Sequence, residues 1–131
     1  MASEDKMTMQ RAVAALRAVV ADGGIALLAD SSTGLVLCSD CAVPSSHDTL
    51  GRIAEEARTA LNSPYVTGVA GADTALAVTQ IDDAGWTVAM RDAGGEEIVV
   101  CRAAARPDRA ALDRAAAAVF ALLRPAGGPD A

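Results

Sequence analysis

The sequence predicts an α+β fold, with the element order helix-β-β-helix-β-β-β-helix and a five-stranded antiparallel sheet flanked by helices. Three observations predict it. Apolar residues recur at helical spacing in three separate stretches, each opened by capping residues or proline. Five short apolar runs lie between them, divided by turns rich in Asp, Ser and Gly. The strands come in runs punctuated by helices rather than in strict alternation, which is the α+β order.

The first helix opens at Ser3 as N-cap, with Glu4 and Asp5 acidic in the first turn. Met9, Val13, Leu16 and Val20 follow on one helical face, and Gly23 and Gly24 end it. The runs "IALLAD" and "GLVLCSD", parted by "SST" and Gly34, read as a β-hairpin whose first strand is central. Pro44 and a polar stretch break the pattern. Ser45 and Asp48 then stand at capping-box spacing before a second helix, whose apolar stripe is Leu50, Ile53, Ala54, Ala57 and Leu61. Asn62 and Pro64 end that helix.

The stretch "YVTGVAGAD" is part loop and part candidate strand. After it, "TALAVTQI", "WTVAMR" and "EEIVVCRAA" are joined by the turns "DDAG" and "DAGG", which makes an antiparallel meander. In the middle run Trp86, Val88 and Met90 share one face; Thr87, Ala89 and Arg91 share the other. Pro107 fits the first turn of a last helix with the apolar face Leu112, Ala116, Val119, Phe120 and Leu123. No linker or repeat divides residues 1–131, so one domain is expected, with an ordered core over 7–124 and a loose tail over 125–131.

Hydrophobic residues make up 52% of the chain, yet Tyr65, Trp86 and Phe120 are its only aromatics. The core must therefore be built from Ala, Val, Leu and Ile, which favours closely approaching helices and a subunit interface that adds buried area. The net charge is −6 and the arginines are scattered, which argues against nucleic acid or an anionic membrane as the main partner. The N-terminus has no signal-peptide layout, and no apolar run reaches the length of a membrane span. A cytoplasmic protein with reduced thiols is expected, and three cysteines do not make a disulfide framework.

"LCSDCA" places Cys38 and Cys41 at the CxxC spacing of redox and zinc sites. A redox pair needs a helix N-terminus at its first thiol. Here Cys38 falls at the end of a strand and Cys41 in the loop after it, with Pro44 before the next helix. Cys38, Cys41, His47 and Cys101 have the residue types of a Cys3His zinc site. Against that set, Cys101 alternates with Val99 and Ala103 like a buried filler, so no metal and no cofactor are expected. His47, among Ser45, Ser46 and Asp48, sits where residues cap helices. Gly68 and Gly71 lead into a strand, with Asp73 beside them, unlike a phosphate loop that enters a helix. Nucleophile, base and oxyanion donors do not assemble, and the expectation is that the chain is not an enzyme. Trp86, opening a strand after a turn, reads as packed against a helix.

This element order, with "VVADGGIALLADSSTGLVLCSD" at its front and "TLGRIAEEARTAL" as second helix, resembles the roadblock / dynein light-chain family, a profilin-like α+β layer. The resemblance covers roughly 7–124, and the Ala-, Arg- and Asp-rich composition is similar to that of high-GC bacteria. The polar linker "CAVPSSHD" is longer than the family pattern, and the approach to the first strand has only Gly23 and Gly24. The resemblance implies a homodimer formed through the second helix and an edge strand. It also implies a non-catalytic scaffold or regulator that binds a small Ras-like GTPase or another signalling protein. Ile53, Ala54, Ala57 and Leu61 are the residues expected at the dimer contact. The competing reading is a GAF- or PAS-type small-molecule or redox sensor, which requires a sizeable apolar cavity beside the meander.

Overall fold

A computed structural model describes residues 2–20, 24–64, 75–83, 85–93 and 95–123, with side chains from residue 8 onward. The elements are α1 (Ala2–Val20), β1 (Ile25–Asp30), β2 (Val36–Cys41), α2 (His47–Leu61), β3 (Leu76–Asp82), β4 (Gly85–Arg91), β5 (Glu97–Ala103) and α3 (Arg109–Leu123). The predicted order and class are observed: among the described residues, these elements are three helices and one five-stranded antiparallel sheet, ordered β2-β1-β5-β4-β3. Residues 1, 21–23, 65–74, 84, 94 and 124–131 lie outside the described residues. So do the expectations placed on them, including the loop "YVTGVAGAD" and the tail.

β1 is interior, between β2 and β5, but the middle strand is β5. Strand composition explains this. β1 and β5 are apolar on both faces, as buried strands must be. Leu27, Ala29, Ile98 and Val100 point to one side; Ala26, Leu28, Val99 and Cys101 point to the other. All eight are at most 2% exposed. The cores are built almost wholly from aliphatic residues, as the shortage of aromatics requires.

α1 and α3 cover one face of the sheet. Val13, Leu16 and Val20 of α1, and Leu112, Ala116 and Val119 of α3, close over Leu28, Val88, Met90, Val99 and Cys101. Phe120 and Leu123 are half-buried at the margin of that core. Among the described residues, α2 covers the other face, through the predicted stripe Leu50, Ile53, Ala54, Ala57 and Leu61. A helix is about 10 Å wide and strands lie about 4.8 Å apart, so one helix cannot cover five strands. Among the described residues, the flank of that face beside β3 is left open.

The ends of the elements depart from expectation in small, explicable ways. Ser3 lies inside α1 rather than capping it. The α2 cap is Ser46, not Ser45: the Thr49 amide donates to Ser46 Oγ at 3.1 Å. Asp108 caps α3, accepting from the Ala110 and Ala111 amides at 3.1 and 3.3 Å, so Pro107 precedes the helix. In the β1–β2 turn, Asp30 Oδ1 accepts from the Ser32 amide (2.8 Å), the Ser32 hydroxyl (2.7 Å) and the Thr33 amide (3.1 Å). Those bonds, the Ser32 hydroxyl first, hold the Asp30 carboxyl below its ordinary range. Gly34 completes the turn at φ +78°.

Candidate functional site

The four residues with the types of a Cys3His site do not come together. Strand β2 runs through Cys41, which the sequence placed in a loop. Cys38 pairs with Leu28 and Cys41 with Ile25, three residues apart on a strand and therefore on opposite faces of the sheet. Cys38 packs toward the α1/α3 core and Cys41 toward the α2 core. His47 is exposed at the start of α2, and Cys101 is 1% exposed in the sheet interior. Burial pushes the Cys101 thiol up to about 12. Cys38, whose thiol donates to Gln10 Oε1 at 3.1 Å, is also raised, chiefly by burial. No group of three or more metal-ligating side chains occurs among the described residues.

The expected dimer residues are placed differently from what a contact requires. Ile53, Ala54, Ala57 and Leu61 are at most 3% exposed, packed within the chain against Leu27, Ala29, Ala89 and Ile98. An amphipathic stripe reads alike whether a sheet or another subunit covers it; here the sheet covers it. What α2 offers outward is Arg52, Glu55, Glu56 and Thr59. Arg58 Nε donates to Glu55 at 2.9 Å, an i,i+3 pair that lowers the glutamate and raises the arginine.

The two edges of the sheet are unlike each other. At β2, Gln10 Nε2 of α1 donates to the Ser39 carbonyl at 3.0 Å, and Arg17 Nε binds Asp40 at 2.7 Å. Helix α1 thus clamps that strand, and a side chain occupies one of its backbone acceptors. Leu37 of the strand, and Leu35 and Val43 beside it, are nonetheless exposed. At β3, Thr79, Gln80, Ile81 and Asp82 are four consecutive exposed residues, with Ile81 64% accessible. Among the described residues, no side chain crosses the outer edge at Thr79–Ile81. An open cleft of about 600 Å³ separates this strand from α2, lined by Glu55, Glu56, Thr59, Ala60, Gln80 and Ile81 among others. A second cleft, of about 300 Å³, lies on the opposite face between β3, β4 and α3.

Sheet order, helix placement and an exposed edge strand define an architecture that can be compared with known ones. It superimposes on the crystal structure of a roadblock/LC7 domain from Streptomyces avermitilis with a TM-score of 0.62, over 87% of this chain and 93% of that one, at 20% sequence identity. The fold is that of a roadblock/LC7 domain. No family model and no curated protein sequence matches the chain. Against the roadblock/LC7 pattern the polar linker after β2 is now placed: Ala42 pairs its amide with the Gly24 carbonyl at 3.0 Å, and the chain then crosses to the Ser46 cap. No helix among the described residues is long and apolar enough to cross a membrane.

Nothing in the composition identified β3 as the open strand. The signal that could have found it is the run "TQID", where polar residues on both faces replace the apolar ones of "IALLAD" and "IVVC".

Proposed function

We propose that the chain is a non-enzymatic, homodimeric regulatory or scaffold module of a bacterial signalling system, with a small Ras-like GTPase as its narrower partner class. One observation carries the dimer: among the described residues, β3 has an unclamped outer edge beside an α2 that leaves the flank of its sheet face open. A second copy related by a two-fold axis would pair β3 with β3, extend the sheet and bring a second α2 over the uncovered flank. The contact residues in this arrangement are Thr59, Gln80 and Ile81, in place of the buried stripe. The roadblock/LC7 fold supports the scaffold role, and the acidic balance suits a partner with a basic patch.

A sensor of the GAF or PAS type would hold its ligand in an enclosed cavity. The clefts beside β3 are open grooves, and the two cores on either side of the sheet are filled by packed aliphatic side chains. The packing therefore favours the scaffold reading. Its test is the mass in solution at micromolar concentration, followed by titration with a purified bacterial Ras-like GTPase loaded with GDP or a GTP analogue. Nucleotide-dependent binding supports the narrower partner; a strict monomer overturns the dimer.

A further inference from the structure

The second cleft has chemistry of its own. On the α1/α3 face, β3 presents Ala77, Thr79 and Ile81, opposite Met90, Val88 and Trp86 of β4. Ala77 and Thr79 are small, and α3 stands back from them, so a groove runs along the seam between the strand and the helix. Two adjoining clefts of about 300 and 120 Å³ share Arg109 as a common wall. The larger is floored by Ala77 and Met90 and closed by Phe120 of α3. The smaller is bounded by Thr79, Trp86, Val88 and Arg106.

Charge distinguishes the smaller end. Its two charged lining residues are Arg106 and Arg109, without a carboxylate, on a chain of net charge −6. Asp113 holds Arg109 at 2.9 Å. Arg106 is exposed and forms no ion pair among the described residues; its guanidinium lies over the Trp86 ring, 5.9 Å from the centroid. Trp and Arg are the residue types that most often anchor a protein interface. The strand floor from Ala75 to Thr79 is about 13 Å long at 3.3 Å per residue, a span suited to a peptide segment.

We infer that the β3–α3 groove docks a short segment of another protein that carries a carboxylate beside apolar side chains. The carboxylate meets Arg106 over Trp86, and the apolar side chains lie along Thr79 and Ala77 toward Met90 and Phe120. The groove shares strand β3 with the proposed dimer contact, but Arg106 and Trp86 are not among the residues of that contact, so Arg106→Glu reports on the groove.

Trp86 is the single tryptophan of the chain, so its emission reports occupancy directly. The probes are two six-residue acetylated peptide amides, one alternating Leu with Glu and the other Leu with Lys. The glutamate peptide should change Trp86 emission saturably and release heat in calorimetry. Arg106→Glu, an exposed site, should weaken it at least about tenfold, and Thr79→Phe, which raises the floor, should do the same. Equal binding of the lysine peptide, no saturable binding of the glutamate peptide at millimolar concentration, or unchanged calorimetric affinity in Arg106→Glu overturns the inference.

Discussion

Gly85 is where one methyl group should do most damage. It opens β4 at φ +124°, a conformation that L side chains rarely adopt. A Cβ built there would lie 2.3 Å from the Ala103 carbonyl oxygen, and that oxygen belongs to the backbone of the neighbouring strand β5. Holding an L-residue in such a region costs about 1–3 kcal/mol. Forcing atoms into filled space costs about 1–3 kcal/mol more. Gly85→Ala should therefore lose roughly 2–6 kcal/mol of a total near 5–15 kcal/mol. At roughly 4 °C per kcal/mol, Tm should fall by about 15 °C. The control is Gly51→Ala, within α2 with open space around the new methyl, which should raise stability by about 0.5–1 kcal/mol. Urea denaturation followed by circular dichroism measures both. A loss below about 1 kcal/mol in Gly85→Ala would refute the steric reasoning, because the opposing atom is backbone and cannot swing away.

Three other outcomes follow from the same geometry. An aromatic disulfide reagent on native protein should titrate Cys38 and Cys41 but leave Cys101 unreactive until denaturant is added, since burial keeps that thiol protonated up to about pH 12. Two thiols released by metal on adding a chelator would contradict the opposite-face placement of Cys38 and Cys41. Glu97 stands opposite Asp30 in the ladder, and burial, then Glu96 and Asp30, push its carboxyl above 4.5. A raised acid disfavours the folded state once it ionises. Glu97→Gln should therefore raise Tm at pH 7, with the gain vanishing as pH falls below about 4. Asp30 has the opposite sign: its depressed carboxyl stabilises the fold above its ordinary 3.8 and ceases to as pH falls through the lower folded value. Asp30→Asn should flatten the acid limb of a stability–pH curve, and an unchanged limb would count against the turn bonds.

Most of the fold could be read from periodicity because each element's local pattern agrees with its final burial. The α2 stripe is one such case: all five of its predicted residues are buried. Strand order was not readable in the same way. Whether β1 or β5 takes the middle depends on which pair buries both faces, and both runs are apolar throughout. The candidate site was harder still. The stripe of α2 reads equally as a contact surface, because covering by a sheet and covering by a partner leave the same sequence trace. Cys41 was placed in a loop because the bulge between Leu28 and Ala29 pairings, at Leu37, lengthens β2 beyond its apolar run. Arg106 over Trp86 joins the end of one connection to the start of a strand twenty residues earlier, a contact that no local pattern encodes.

The central claim is that β3 is the strand through which two chains meet, and sedimentation velocity tests it most directly. At tens of micromolar the wild-type chain should sediment at twice the 13.2 kDa chain mass. Ile81→Glu, at a 64% exposed site on the open edge, should sediment as a monomer with unchanged circular dichroism. A wild-type monomer, or a dimer that Ile81→Glu leaves intact, would contradict the account.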